Sequence, residues 1–148
     1  MARMRRIVHP TDFSPASAPA FKKALELAKE DRASLSIVHV LPTLPMLPDG
    51  YIAATAYEEM LAAHRRQADQ QMQKVVKRAQ TAGVKASGTV VDVGVAAEQI
   101  VRFAKRQGAD VIVMGTHGHG FLARVLLGSV AERVVSRASC PVLTVRAR

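Results

Sequence analysis

Cysteine and aromatic side chains are scarce in this sequence of 148 residues, and tryptophan is absent. The single cysteine, Cys140, excludes an internal disulfide framework and a cysteine-rich zinc site. Aromatic residues are only 4% of the chain, which argues against base-stacking platforms for nucleic acid. The longest apolar runs, such as Val111–Val113, are far shorter than the ~20 residues of a membrane-spanning helix. Because no long apolar stretch follows the basic segment Met1–Arg6, we expect no signal peptide and a cytoplasmic protein.

Basic residues outnumber acidic ones: the chain has 21 Lys and Arg against 12 Asp and Glu, a formal net charge of +9. A basic surface is typical of proteins that bind nucleic acid or anionic ligands, so both classes are open at this point. Hydrophobic residues make up 49% of the chain, enough for a core, and no repeat or low-complexity tract divides it. We therefore expect a single domain over residues 1–148.

Apolar segments typical of strands alternate with amphipathic segments typical of helices. The strands are predicted at Ile7–His9, Ser34–Val40, Lys85–Val93, Asp110–Met114 and Pro141–Val145. The helices are predicted from Pro15 to about Arg32, with Asp12 or Ser14 as its cap, and at Thr55–Thr81, Val95–Gln107 and Ser129–Arg137. This β-α-β-α-β-α-β-α-β order indicates an α/β fold, with an open parallel sheet, right-handed crossovers and helices on both faces. The proline-rich stretch Leu41–Tyr51 is an excursion between elements.

The loop after the fourth strand carries the most informative chemistry. Ligands of open parallel sheets bind at the carboxyl ends of the strands, and here that loop runs through the glycine-rich segment Gly115–Gly128. Glycines let backbone N–H groups approach an anion, and Gly128-Ser129 opens a helix whose first N–H groups carry the positive end of the dipole. The segment is therefore either a phosphate cradle that needs no lysine or an ordinary turn. Ser129 either donates to a phosphate or caps the helix.

Several familiar motifs are absent or weak. No Gly-Lys pair occurs, which excludes a Walker loop, and no Gly-x-Ser-x-Gly elbow marks a catalytic serine. Gly118-x-Gly120-x-x-Ala123 fits the loose dinucleotide fingerprint but follows the fourth strand instead of the first. His117-x-His119 lacks a third metal ligand, and Cys140 lacks a paired base, so we interpret that cysteine as a small buried hydrophobe.

The pattern Gly115-x2-Gly118-x9-Gly128-Ser129 resembles the ATP-binding signature of the universal stress protein family. The opening Ile7–Ser14 and the closing Cys140–Val145 are similar to the family as well, so the resemblance covers essentially the whole chain. It implies a five-stranded sheet in the order 3-2-1-4-5, with the strand order reversing between the first and fourth strands. Because every glycine of the signature is kept, it also implies membership of the subgroup that binds ATP, or ADP or AMP.

The resemblance further implies the residues of a nucleotide site. The ribose and adenine would lie against Pro10, Thr11, Asp12, Val40, Met114 and Gly115. The phosphates would lie against Gly118, Gly128, Ser129 and Val130, with His117 and Arg124 within reach in the same loop. The Asp12 carboxylate would accept from a ribose hydroxyl or ligate Mg²⁺, while capping of the first helix stays open as its alternative role.

The function implied is that of a stress-response or regulatory protein, a nucleotide-dependent sensor or adaptor for a downstream protein. No residue is marked as a base for attacking water and the loop has no lysine, so we expect no enzyme. The resemblance also implies a homodimer, in which the last strand, Val142–Val145, pairs with its counterpart. Two alternatives are kept: a basic module that binds nucleic acid or anionic surfaces, and a weak ATPase.

Overall fold

In the part of the chain that the structure describes, a five-stranded parallel sheet is flanked by four α-helices. A computed structural model describes residues 3–43, 54–117 and 127–147. The strands are β1 (Arg6–Pro10), β2 (Ser34–Val40), β3 (Ala86–Val91), β4 (Val111–Gly115) and β5 (Val142–Val145). Their order in the sheet is β3-β2-β1-β4-β5 and every pairing is parallel, which confirms the α/β fold and the strand order that were expected.

The helices lie close to the predicted bounds. They are α1 (Ala18–Asp31), α2 (Ala54–Thr81), α3 (Ala96–Gln107) and α4 (Ser129–Arg137). A 3-10 turn, Pro15–Ser17, precedes α1, so Pro15 opens this turn and not the α-helix itself. The third strand is shorter than predicted, and Val93 beyond its end is exposed. Within the described ranges, none of the helices combines the length and apolarity that crossing a membrane requires.

Two helices end in the same way but with different residues. The residue after α1 is Arg32, with a left-handed backbone (φ 55°), and its N–H bonds the Ala28 and Lys29 carbonyls. The residue after α3 is Gly108, with nearly the same backbone (φ 64°) and the equivalent bonds to Ala104 and Lys105. Glycine adopts this conformation without a steric penalty, whereas arginine does not.

Each face of the sheet is covered by its own pair of helices. We call them the α1–α2 face and the α3–α4 face. On the α1–α2 face, helix residues such as Ala24 and Met72 pack on Ile7 and Val113. Helix residues of the other face are grouped with strand residues in a second cluster: Val8, Ile112, Ile100, Phe103 and Val134. Because successive strand residues point to opposite faces, strands buried on both sides are almost continuously apolar, as Ile7-Val8 and Val111–Val113 are.

The central strand β1 pairs with β2 on one side and β4 on the other, so the strand order reverses between β1 and β4. At the amino end of these strands, the Asp110 carboxylate accepts the N–H groups of Arg5 and Arg6 at 2.8 and 2.9 Å. These two bonds hold the pKa of Asp110 below its usual value. The reversal opens a crevice at the opposite, carboxyl ends, where ligands of such sheets bind.

Candidate nucleotide site at the strand carboxyl ends

The loop after β1 is held by hydrogen bonds that start from Thr11. The Thr11 N–H donates to the Val38 carbonyl at 2.9 Å, and Thr11 Oγ1 accepts the Phe13 N–H at 3.0 Å. The Thr11 and Ser17 hydroxyl oxygens are 3.1 Å apart, and the Ser17 hydroxyl donates to the Ser14 carbonyl. Because the Ser17 proton is used there, Thr11 is the donor between the two hydroxyls. The loop therefore has a defined shape.

Asp12 shapes the same loop, but in a different way from the helix cap predicted for it. Its Oδ1 accepts the Ser14 N–H at 2.9 Å and the Ser14 hydroxyl at 2.5 Å. Ser14 caps the 3-10 turn and Ser17 caps α1, and neither uses a side-chain cap bond. The prediction that Asp12 or Ser14 caps the first helix was therefore wrong for α1, because the 3-10 turn separates both residues from it. Asp12 closes an Asx turn instead.

Phe13 and His39, which were not among the predicted site residues, complete this loop. Phe13 has a positive φ of 63°, and its ring lies 4.5 Å from the His39 ring, centroid to centroid. The His39 Nδ1 is 2.8 Å from the Thr11 carbonyl and therefore donates to it. The end of β2 is thus tied to the loop after β1. His39 is the next-to-last residue of a largely apolar strand, and this position was the sequence signal for it. No sequence signal marked the positive φ of Phe13.

The other wall of the site forms where β4 ends and α4 begins. The Gly128 N–H donates to the Thr116 carbonyl at 2.6 Å. A Cβ at Gly128 would lie 3.0 Å from that carbonyl oxygen, and a Cβ at Gly115 would lie 3.2 Å from the His117 carbonyl and 3.4 Å from that of Ala16. At both glycines the neighbouring backbone segments lie so close that a side chain would push them apart.

Gly128, and not Ser129, is the N-cap residue of α4. The capping alternative for Ser129 was wrong, since Ser129 is already the first helical residue and the helix start has no side-chain cap bond. Ser129 and Val130 are exposed on the first turn of α4. Their N–H groups belong to the set that has no partner within an α-helix and carries the positive end of its dipole. This arrangement suits an anion.

The structure places most of the predicted site residues at this end of the sheet. Those at strand ends are Pro10 (β1), Val40 (β2), and Met114 and Gly115 (β4); those in the adjoining segments are Thr11, Asp12, His117, Gly128, Ser129 and Val130. The Thr116 hydroxyl and His117 Nδ1 are 3.0 Å apart. Gly118 and Arg124 lie outside the described residues.

His9 lies directly below the loop on the α1–α2 face and is fully buried. Its Nδ1 is 2.8 Å from the Val113 carbonyl, so Nδ1 carries the proton that bonds β4. Burial lowers the pKa of His9 from 6.5 to about 4, although the Val113 bond and the charge of Asp12 act in the opposite direction. The imidazole is therefore neutral at pH 7.

The structure agrees with the unreactive role predicted for Cys140. The thiol is half-buried against the α3–α4 core, and burial, followed by the charge of Asp110, raises its pKa. A protonated thiol is a poor nucleophile. In the part of the chain that the structure describes, no three His, Cys, Asp or Glu side chains form a group able to hold a metal ion.

An open parallel sheet whose strand order reverses between β1 and β4 defines a doubly wound α/β protein. The model of the universal stress protein family matches residues 4–146. Universal stress protein MJ0531 of Methanocaldococcus jannaschii is 41% identical over 142 residues, which are 96% of this chain and 82% of that protein. The chain therefore belongs to the universal stress protein family, as its motifs indicated.

Solved structures agree with this assignment. MJ0577 of Methanocaldococcus jannaschii superposes with a TM-score of 0.84 at 28% identity, covering 99% of each chain. A universal stress protein solved in complex with cAMP superposes with a TM-score of 0.68 at 26% identity, covering 99% of this chain and 100% of that one. The likeness extends over nearly the full described sheet and its helices.

Proposed function

We propose that this chain binds an adenine nucleotide at the carboxyl ends of β1, β2 and β4 and acts as a nucleotide-dependent sensor or adaptor. The close approach of Gly128 to Thr116 carries the proposal, because it sets the first turn of α4 beside the end of β4 with no Cβ between them. The N-terminus of a helix that is lined by backbone atoms without side chains suits a phosphate group. The cAMP complex of a relative of the same fold supports an adenine ligand.

The residues divide into two groups by the part of the nucleotide that they would contact. The loop after β1 is rigidified by the Thr11 and Asp12 bonds, and it would bind the ribose and adenine together with Pro10, Val40, Met114 and Gly115. The phosphates would be bound by Gly128, Ser129, Val130 and His117, and we retain Gly118 and Arg124 for the same role. We propose ATP as the nucleotide, as the glycine signature implies, with ADP and AMP as alternatives that carry the same adenine and ribose.

Magnesium would enter with the nucleotide and not by itself. The described residues hold no ready-made group of metal ligands, and Mg²⁺ usually binds phosphates and water with one or two carboxylates. Asp12 is the carboxylate at this end of the sheet that can supply such a ligand. The same residue would otherwise accept from a ribose hydroxyl.

We propose binding and not catalysis as the role of the site. Its described side chains offer hydroxyls, one carboxylate and imidazoles, without a lysine for transition-state charge. We further propose that one domain spans the chain, that it works in the cytoplasm with a downstream protein, and that it forms a homodimer through Val142–Val145. In support of the dimer, β5 lies at the edge of the sheet and its four residues are all half-buried.

A matched pair of serines on α4 tests the nucleotide site. Ser129→Ala removes a hydroxyl at the first turn, and we expect ATP affinity to fall about tenfold, as for one charge-assisted hydrogen bond. Ser136→Ala is the control, because Ser136 lies at the other end of α4 and its hydroxyl bonds the Arg133 carbonyl. Calorimetric titrations with ATP, ADP, AMP and cAMP measure both variants.

The proposal fails if freshly purified protein releases no nucleotide on denaturation and gives no binding heat with millimolar ATP. A basic module for nucleic acid would instead bind oligonucleotides with an affinity that falls steeply with salt. A weak ATPase would release phosphate steadily, and the release would be abolished by Asp12→Ala.

A further inference from the structure

The amino ends of the strands form the end of the molecule opposite the proposed nucleotide site. There β1, β3 and β4 begin, and there α1 and α3 end, since a crossover helix runs back along a parallel sheet. We call the surface formed by residues 3–6, 28–34, 84–86 and 105–110 the basic pole. None of these residues was assigned to the nucleotide site, so the two surfaces are separate.

Hydrogen bonds join the segments of the basic pole into one surface. Arg3 Nε donates to the Asp31 carbonyl at the end of α1 at 2.7 Å, and the Arg6 guanidinium donates to the Gln107 carbonyl at the end of α3 at 3.5 Å. The Lys85 carbonyl accepts an N–H from the start of β2 at 2.8 Å. In these bonds each guanidinium uses one of its five N–H donors, so both arginines keep donors for a ligand.

Positive charge is concentrated on the basic pole. Its basic side chains are all exposed: Arg3, Arg5, Arg6, Lys29, Arg32, Lys85, Lys105 and Arg106. Its acidic residues are Glu30, Asp31 and Asp110, so eight positive charges stand against three negative ones. The rest of the described chain has eleven basic and eight acidic residues, a smaller excess over many more residues. The basic pole therefore carries most of the excess positive charge of the described chain.

The carboxylates of the basic pole leave its cations available. The Asp110 carboxylate accepts the N–H groups of Arg5 and Arg6, and Asp31 Oδ2 accepts the Met4 N–H at 2.8 Å. Both carboxylates therefore bond to backbone. Within the described ranges, no ion pair joins a basic side chain of the basic pole to a carboxylate.

The cations form a band across the end of the sheet. Because successive strand residues point to opposite faces, Arg5 lies on the side of α1, and Arg6, whose guanidinium reaches α3, lies on the other side. The band therefore runs from the last turn of α1, over the start of β1, to the last turn of α3. The last-turn cations of the other two helices are directed elsewhere: Arg78 lines a cavity beneath the loop after β1, and Arg137 pairs with Glu98 at 3.6 Å.

The basic pole lacks what apolar partners require. Among the described residues, the large hydrophobic side chains that are exposed belong to other parts of the chain: Met60, Val93, Val95, Val130 and Val135. The basic pole also contains no aromatic residue. Membrane-surface binding buries an apolar face, protein interfaces are enriched in aromatic residues at their core, and single-stranded nucleic acid stacks on aromatic rings. A partner that is recognised by charge fits better, and the regular phosphates of a duplex are such a partner.

We propose that the basic pole binds the phosphate backbone of duplex nucleic acid without reading its sequence. Arginine and lysine side chains are the usual donors to backbone phosphates, and these contacts carry no sequence information. This surface goes beyond the nucleotide function and adds to it, because nucleotide and duplex would bind at opposite ends of the sheet. The chain would then hold both ligands at once.

Fluorescence anisotropy with a labelled DNA duplex of about 20 base pairs, at several salt concentrations, measures the binding. We expect a dissociation constant of about 1–100 µM at physiological salt, the usual range of sequence-independent binding. The logarithm of the binding constant should fall with the logarithm of the salt concentration with a slope of about −4.5, for about five neutralised phosphates. A second duplex of unrelated sequence should bind equally well.

Two double variants on exposed helix positions test where the duplex binds. Lys105→Gln with Arg106→Gln removes two cations from the basic pole, and it should weaken duplex binding about tenfold or more and make the salt slope shallower by about two. Lys22→Gln with Lys23→Gln is the matched control, because it removes the same charge from the first half of α1, away from the basic pole. The control should weaken binding less than about threefold, since salt screens distant charges.

The duplex proposal and the nucleotide proposal fail separately. The Lys105 and Arg106 double variant should leave ATP affinity unchanged, and Ser129→Ala should leave duplex affinity unchanged. The duplex proposal is overturned if no binding is seen at about 100 µM protein and about 50 mM salt. Equal losses in the two double variants would also overturn it, because net charge and not the basic pole would then govern binding. Tighter binding of the single strand, or of anionic phosphatidylglycerol vesicles, than of the duplex would overturn it as well.

Discussion

The two faces of the sheet differ most at the carboxyl ends of β1 and β4. On the α3–α4 face, Val8 and Met114 share an apolar core with α3 and α4, and that core reaches the last residues of β4. On the α1–α2 face, the apolar core formed by residues such as Ile7 and Val113 ends at His9, beside a cavity of about 210 Å³ that Thr11 and Ser17 also line. The first face is therefore closed by apolar packing at this end, whereas the second has open space.

The largest expected effect is a difference in the free energy of unfolding between two Phe→Ala variants, one on each face of the sheet. Phe103→Ala, in the α3–α4 core, should lower the free energy of unfolding by about 3–5 kcal/mol, because it opens a cavity in packed surroundings. Phe21→Ala should cost clearly less, since Phe21 is half-buried and already borders open space. Urea unfolding of both variants measures the difference. Equal losses would show that the two faces are packed alike at these positions.

The next effect is the pH dependence of protein stability that His9, on the α1–α2 face, causes. Because its pKa is about 4 in the folded protein and 6.5 when exposed, the unfolded chain binds the proton more readily. The contribution to stability is therefore complete above pH 6.5 and is lost as the pH falls toward 4. The whole loss is on the order of 3 kcal/mol.

Unfolding free energies of the unmodified protein and of His9→Asn, measured between pH 7 and pH 4, test this dependence. The variant should be less stable at pH 7 but should change less as the pH falls. Parallel curves for the two proteins would assign the acid sensitivity to other groups and would contradict the prediction.

The smallest effect compares the helix ends of the two faces. Arg32→Gly should stabilise the protein by about 1 kcal/mol, because glycine removes the left-handed strain at the end of α1. Gly108→Ala, at the equivalent position after α3, should destabilise it by a similar amount. Thermal unfolding of both variants gives the two signs, and a destabilised Arg32→Gly protein would show that the Arg32 side chain matters more than its backbone.

The sequence predicted the fold well because parallel strands and amphipathic helices leave local patterns. The bounds of β2 and α4 were right to the residue, and so was the end of α3 at Gln107. The strand order came from the family resemblance and is confirmed. The glycine pattern predicted an approach of backbone N–H groups to an anion, whereas the contact of Gly128 with the Thr116 carbonyl is known only from the structure.

The conformation of the loop after β1 could not be predicted from the sequence. The Asx turn of Asp12, the positive φ of Phe13 and the bond from His39 to Thr11 depend on neighbours that are distant in sequence or on local backbone geometry. The unpartnered nitrogen of His9 was likewise invisible, because apolar periodicity does not report which atom of a buried ring is satisfied.

The central place of β1 has a consequence for how the protein is made. β1 is synthesised shortly before its partner β2, yet its other edge has no partner until Val111 and Ile112 have been synthesised. Until then the nascent chain carries an open strand edge, which is the kind of surface that invites wrong pairing. Arrival of β4, with Asp110 bonding the backbone of Arg5 and Arg6, is therefore the step that completes the centre of the sheet.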